Sequence, residues 1–218
     1  MKKRLLAVAV VVLAVAVALG ATSAFGGGGQ FQLYLVNSGP SSSFYNDSLA
    51  ADGNCSRIDL ASSLSTQPGA KLRQDSVGYL PDPQGVSIFS YTVPAGGGFT
   101  IPANSNAIML KLWAFSGDGT CDGQNTSPQA IGWSLACSGP TCGSVSLVSG
   151  PDSGYQDISI PAGTPINTLQ NAHFGVPSPV TVGAGDTISL KFQSNTYAPI
   201  QWNAPNGAGV SVLSILTS

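Results

Sequence analysis

The stretch Gln30-Phe31-Gln32-Leu33-Tyr34-Leu35-Val36 places an apolar side chain at every second position: Phe31, Leu33 and Leu35. Successive side chains of a β-strand point to opposite faces, so a period of two marks a strand with one face in a core. Towards the N-terminus this strand is preceded by Phe25-Gly26-Gly27-Gly28-Gly29, a glycine leader. A segment of a different kind lies before the leader. Met1-Lys2-Lys3-Arg4 is followed by an unbroken run of Leu, Ala and Val from Leu5 to Leu19, then by Gly20-Ala21-Thr22-Ser23-Ala24.

A basic start, a short apolar run and small side chains at Thr22 and Ala24 make up the pattern of a secretory signal peptide, with cleavage expected after Ala24. The competing reading is an uncleaved anchor, since about 20 apolar residues span a bilayer. The small-residue site directly after the run favours cleavage. The expected organisation is a signal peptide over 1–24, a glycine leader and N-terminal strand over 25–36, and a single β-sandwich domain over 37–218.

Cleavage changes the charge balance. Lys2, Lys3 and Arg4 leave with the signal peptide, so Arg57, Lys71, Arg73, Lys111 and Lys191 stand against ten aspartates, a formal net charge of −5. That balance lacks the basic footprint of a nucleic-acid binder, and no apolar run long enough to span a membrane is left. Glutamate is absent and Lys and Arg are few, while the chain holds 27 Gly and 15 Pro. The residues that cover exposed helices are therefore missing. A hydrophobic share of 43% beside a charged share of 8% is the reverse of a disordered composition. The expected class is all-β.

Towards the C-terminus, residues 37–84 are polar and irregular, with at most a helical turn over Ile58 to Leu64. Strand-like runs follow at short intervals: Val86 to Val93, Ala107 to Phe115, Ala130 to Ala136, Ser144 to Val148, Tyr155 to Ile160, Thr187 to Gln193 and Val210 to Thr217. Each is bounded by Gly, Pro, Asn or Asp. With the N-terminal strand and shorter pieces near Phe99, Val180 and Ile200, this predicts a jelly-roll-like β-sandwich of roughly ten strands. Thr92-Val93-Pro94-Ala95-Gly96 is echoed by Ser159-Ile160-Pro161-Ala162-Gly163. Thr100-Ile101 leading to Ile108–Leu112 is likewise echoed by Thr181-Val182 leading to Ile188–Phe192. Shared turn chemistry accounts for these echoes at least as well as two related halves.

The four cysteines, Cys55, Cys121, Cys137 and Cys142, read in an exported chain as two disulfides with three possible connectivities. Ser138-Gly139-Pro140-Thr141 is a turn-forming sequence, which favours Cys137 with Cys142 and hence Cys55 with Cys121. A zinc site is disfavoured by the single histidine and the lack of a C-x-x-C pair.

Motifs for chemistry are weak. Gly132-Trp133-Ser134-Leu135-Ala136 lacks the second glycine of a nucleophile elbow. His173, in Asn171-Ala172-His173-Phe174-Gly175, reads as a loop residue. Ten scattered aspartates cannot be paired from sequence into the two acids of a glycosidase. No cofactor is expected, with calcium the one candidate: Asp118, Thr120 and Asp122 follow the opening spacing of a calcium loop, but position twelve is Gln129 instead of glutamate. Asn46, Asn54 and Asn125 head N-x-S/T sequons. Trp113 and Trp133 read as core, whereas Trp202, flanked by Gln201 and Asn203, is a possible sugar contact, as are loop tyrosines such as Tyr45 and Tyr79.

Two function classes follow. The first is a secreted structural or adhesive subunit, partnered by copies of itself in a filament, coat or surface layer. Residues 30–36 would be its donor strand, pairing with a neighbour's sheet edge through apolar plugs at Phe31, Leu33 and Leu35. Pairing of that strand within its own domain is the plainer alternative. The second class is a carbohydrate-binding module partnered by polysaccharide. An aspartate-dependent hydrolase ranks behind both.

Overall fold

A computed structural model describes residues 29–37, 62–66, 77–79, 86–114, 128–151, 154–164, 168–194, 199–201 and 211–218. These residues form an all-β protein of fourteen strands: β1 (Gly29–Asn37), β2 (Ser62–Ser65), β3 (Val77–Tyr79), β4 (Val86–Thr92), β5 (Gly98–Ile101), β6 (Asn104–Ala114), β7 (Gln129–Gly139), β8 (Gly143–Val148), β9 (Gln156–Ile160), β10 (Leu169–Val176), β11 (Val180–Gly183), β12 (Thr187–Ser194), β13 (Pro199–Gln201) and β14 (Val212–Thr217). Among the described residues no helix is long and apolar enough to cross a membrane.

Twelve strands form one continuous sheet, and β5 and β11 form a separate pair. Strand β6 is bonded along one edge to β10 and along the other to β14 and β13. From β14 the path runs through β1, β2, β4 and β12 to β7, whose far edge is shared by β8 and β9. All pairings are antiparallel except β2 with β4. Strand β10 approaches β8 and β9, so the two ends of the sheet come together.

Alternation in the sequence explains the core. Leu110, Leu112 and Ala114 of β6, Ile131, Trp133 and Leu135 of β7, and Ile188, Leu190 and Phe192 of β12 point to one side and are buried. They join Leu33, Leu35, Phe89, Ile158, Ile160, Leu213 and Ile215 in a single hydrophobic cluster. Within it the Phe89 and Phe192 rings meet edge-on at 5.9 Å. At its margin Phe31 packs 4.8 Å from Phe99 and 5.7 Å from Tyr91, and burial pushes the Tyr91 hydroxyl pKa up.

Four expectations are corrected. Asn171 to Gly175, expected as loop, lies within strand β10, which places His173 opposite Met109. Its alternation is inverted: Gln170 and Ala172 lie on the core side while Leu169 is exposed, and the pairing is irregular between Phe174 and Val176, so a period-two search misses it. Ser62–Ser65 is strand, not part of a helical turn: it pairs with β1 and β4, and Leu64 is buried. Tyr79 lies in β3, not in a loop. Trp113 is only partly buried on the solvent side of β6, whereas Trp133 is core.

The sequence echoes have a structural counterpart. Pro94 and Pro161 each begin a turn closed by a bond from the third residue on, Gly97 N–H to Pro94 O at 2.9 Å and Thr164 N–H to Pro161 O at 3.1 Å. In each, the glycine two residues after the proline has a positive φ, 77° at Gly96 and 70° at Gly163. The second pair of echoed segments bond to each other: Thr100 stands opposite Thr181 and Phe99 opposite Val182.

Candidate functional site

In an antiparallel pair, directly opposed residues share a face, so register converts the strand list into a surface. Three rows cross the solvent side of β10, β6, β14 and β1. The first is His173, Met109, Ser214 and Gln32; the second is Asn171, Lys111, Val212 and Tyr34; the third is Leu169 and Trp113. His173, Asn171, Leu169 and Gln32 are exposed, while Met109, Lys111, Trp113 and Tyr34 are partly buried. The named residues carry an indole, a phenol, an imidazole, an ammonium and amide groups, and none of them is acidic.

Side-chain length shapes this face. Val212 and Ser214 are short and flanked by Met109 and Lys111 on one strand and by Gln32 and Tyr34 on the other. Both are buried, Val212 at 9% and Ser214 at 2% exposure. The buried Ser214 hydroxyl has no hydrogen-bond partner, although buried polar groups are nearly always paired. On β1 the Tyr34 hydroxyl donates to Gln32 Oε1 at 2.9 Å.

A second cluster gathers Cys137, Cys142 and Asp186, whose donor atoms lie within 4.8 Å of one another. It is a structural staple and not a metal centre. The sulfurs are bonded to each other in the expected Cys137–Cys142 disulfide. The carboxylate already accepts three main-chain N–H groups: Thr141 on Oδ1 at 2.8 Å, and Cys142 at 2.9 Å and Gly183 at 2.8 Å on Oδ2. Burial alone would raise the Asp186 pKa, but the amides of Gly183, Thr141 and Cys142 outweigh it and hold the carboxyl below the ordinary aspartate range.

A third feature, an open cleft of about 440 Å³, is lined by Ala103, Asn104, Ser105, Gly175, Val176 and Pro177. None of the six has a titratable side chain.

The donor-strand residues occupy an interior position. Strand β1 pairs with β14 on one edge and β2 on the other within its own chain, and Leu33 and Leu35 are 0% exposed. Phe31 is partly buried, its ring against Phe99 and Tyr91. Several other candidates lie outside the described residues: the signal peptide, the calcium candidates Asp118, Thr120 and Asp122, the cysteines Cys55 and Cys121, the sequon asparagines Asn46, Asn54 and Asn125, and Trp202 and Tyr45. Sequence reasoning missed the grouping of Lys111, Trp113, Asn171 and His173. The signal that could have found it is the matching spacing of two in 109-111-113 and 169-171-173, once both segments are taken as strands.

No protein-family model matches the chain, and no curated protein matches it. Among solved structures it is similar to a CocE/NonD family hydrolase from Staphylococcus aureus, at 10% identity and a TM-score of 0.42, over 88% of this chain and 37% of that one. It is also similar to the Podospora anserina GH26-CBM35 β-(1,4)-mannanase, at 9% identity and a TM-score of 0.31, over 65% of this chain and 22% of the mannanase. The chain thus spans well under half the length of either protein, and at these scores neither activity carries over to it.

Proposed function

We propose that the chain is an exported structural or adhesive subunit, built as a jelly-roll β-sandwich, whose copies join by exchanging β1. In this reading β10, β6, β14 and β1 form one layer and β4, β12, β7, β8 and β9 the other. The single hydrophobic cluster fed by both supports it. Export is read from Met1 to Ala24, and cleavage there leaves β1 at the start of the mature chain.

The observation that carries the proposal is the setting of β1. It is bonded on both edges and fully inserted through Leu33 and Leu35, yet it joins the rest of the domain only through residues 38–61. Twenty-four residues can reach up to roughly 80 Å when extended, so covalent length permits β1 to fill the same slot in a neighbouring copy. The hydrogen bonds and apolar plugs are identical in either arrangement, and exchange of an identical element is a low-cost route to assembly.

Gln30 stands opposite Leu216, which supplies a direct test. Chains carrying only Gln30→Cys are mixed during secretion with chains carrying only Leu216→Cys. A covalent dimer between the two chains supports exchange. A disulfide that forms only when both cysteines are placed in one chain, with no crosslink between chains, refutes it.

A further inference from the structure

We propose that Phe31 fixes the register in which β1 is seated, and that the place its ring fills beside Phe99 and Tyr91 makes the β1 slot selective. The slot accepts an aromatic side chain followed, at steps of two, by two leucines. The partner that offers such a strand is a second copy of this chain. That partner rests on the exchange of β1 proposed above, whereas the role of Phe31 in register does not. Phe31 stands opposite Ile215, Leu33 opposite Leu213 and Leu35 opposite Leu64. The two leucines are fully buried. Phe31 is partly buried, its ring centroid 4.8 Å from that of Phe99 and 5.7 Å from that of Tyr91.

Main-chain bonding does not fix this register. A slip of β1 by one residue would turn its apolar face outward, and alternation excludes it. A slip by two keeps the faces and remakes the ladder, so only the side chains discriminate. Gln30 and Gln32 are exposed and select little. Two such slips exist. One moves Leu33 to the place of Phe31 and carries Asn37 to the enclosed place of Leu35, where a buried amide is costly. The other brings Gly29 to the place of Phe31, Phe31 to that of Leu33, and Leu33 to that of Leu35. A leucine suits both enclosed places, but a phenyl ring where Leu33 is 0% exposed overpacks the core, and Phe99 and Tyr91 lose the Phe31 ring. Phe31 is thus the side chain that bars the second slip, and it does so whichever copy supplies β1.

The test lets one thiol choose between two. In a chain carrying Gln30→Cys, Ser214→Cys and Leu216→Cys, the seated register joins position 30 to 216, its native partner, and the second slip joins 30 to 214. Peptide mapping of the oxidised protein reads the choice. With Phe31 present, the 30–216 disulfide should be the only one of the two. Phe31→Leu, which leaves an apolar side chain at each place, should raise the 30–214 disulfide to at least about a tenth of the total, the weight of a lost aromatic contact. Moving the ring by two, with Gly29→Phe and Phe31→Leu together, should make 30–214 predominant, whereas Gly29→Phe alone should keep 30–216. A 30–216 disulfide that persists undiminished in both Phe31→Leu chains overturns the proposal. Selectivity between copies is read by mixing chains that carry only Gln30→Cys with chains that carry only Leu216→Cys: Phe31→Leu in the former should lower the covalent dimer about tenfold. An equal yield overturns the selectivity. No dimer even with Phe31 present is the failure of exchange, which removes the second copy as partner and leaves the register to be decided within one chain.

Discussion

Oδ1 of Asp186 accepts the main-chain N–H of Thr141 at 2.8 Å, bridging 45 residues of sequence. With the bonds from Cys142 and Gly183, it ties the β7–β8 hairpin and its disulfide to the turn that starts β12. The main chain of Asp186 extends the staple, since its carbonyl accepts from Val93 N–H at 2.8 Å. Asparagine at this position keeps one acceptor oxygen and turns an NH2 group against amide donors. We expect Asp186→Asn to lower Tm by more than about 5 °C, read by calorimetry, because buried donors are left unpaired.

The same carboxylate sets an acid limit. Its pKa is lowered in the folded state, so the unfolded chain binds the extra proton. The stabilisation is complete above the unfolded aspartate value of about 3.9 and is lost as pH falls through the lower folded value. The Tm difference between wild type and Asp186→Asn should be constant from pH 7 to pH 5 and should narrow below about pH 4. A gap that persists at the lowest pH would contradict the assignment.

Gly139 lies against this aspartate. Its φ is +152°, and a Cβ there would stand 2.7 Å from Asp186 Cα. Gly143 has φ +68° with open space around the same position. Gly143→Ala should cost about 1 kcal/mol, the conformational term alone. Gly139→Ala adds a backbone clash and should cost on the order of 3 kcal/mol. Urea unfolding of the two variants makes the comparison, and equal losses would show that the hairpin yields.

Trp133 is fully buried and its indole N–H has no partner. Trp133→Phe removes that donor together with some packing, so the two effects oppose each other. The variant should lose about 1 kcal/mol, against about 2–5 kcal/mol for Leu190→Ala in the same core. A loss as large as that of Leu190→Ala would mean that the N–H is satisfied in solution.

The sequence alone determined the class of this protein. Alternation at Phe31, Leu33 and Leu35, the missing helix-forming surface residues, and the turn between Cys137 and Cys142 are local signals, and local chemistry was enough for strands, turns and one disulfide. Strands whose faces do not alternate in polarity escaped, as Leu169–Val176 shows with glutamine inward and leucine outward. Only the tertiary structure decided what meets what. Asp186, one of ten scattered aspartates in the sequence, became a staple because folding brought Thr141 and Cys142 to it. Lys111, Asn171 and His173 became one face because β10 pairs with β6 in a register that no local pattern encodes. Strand pairing is set by contacts distant in sequence, and a shift of one residue would turn every one of these side chains to the other side.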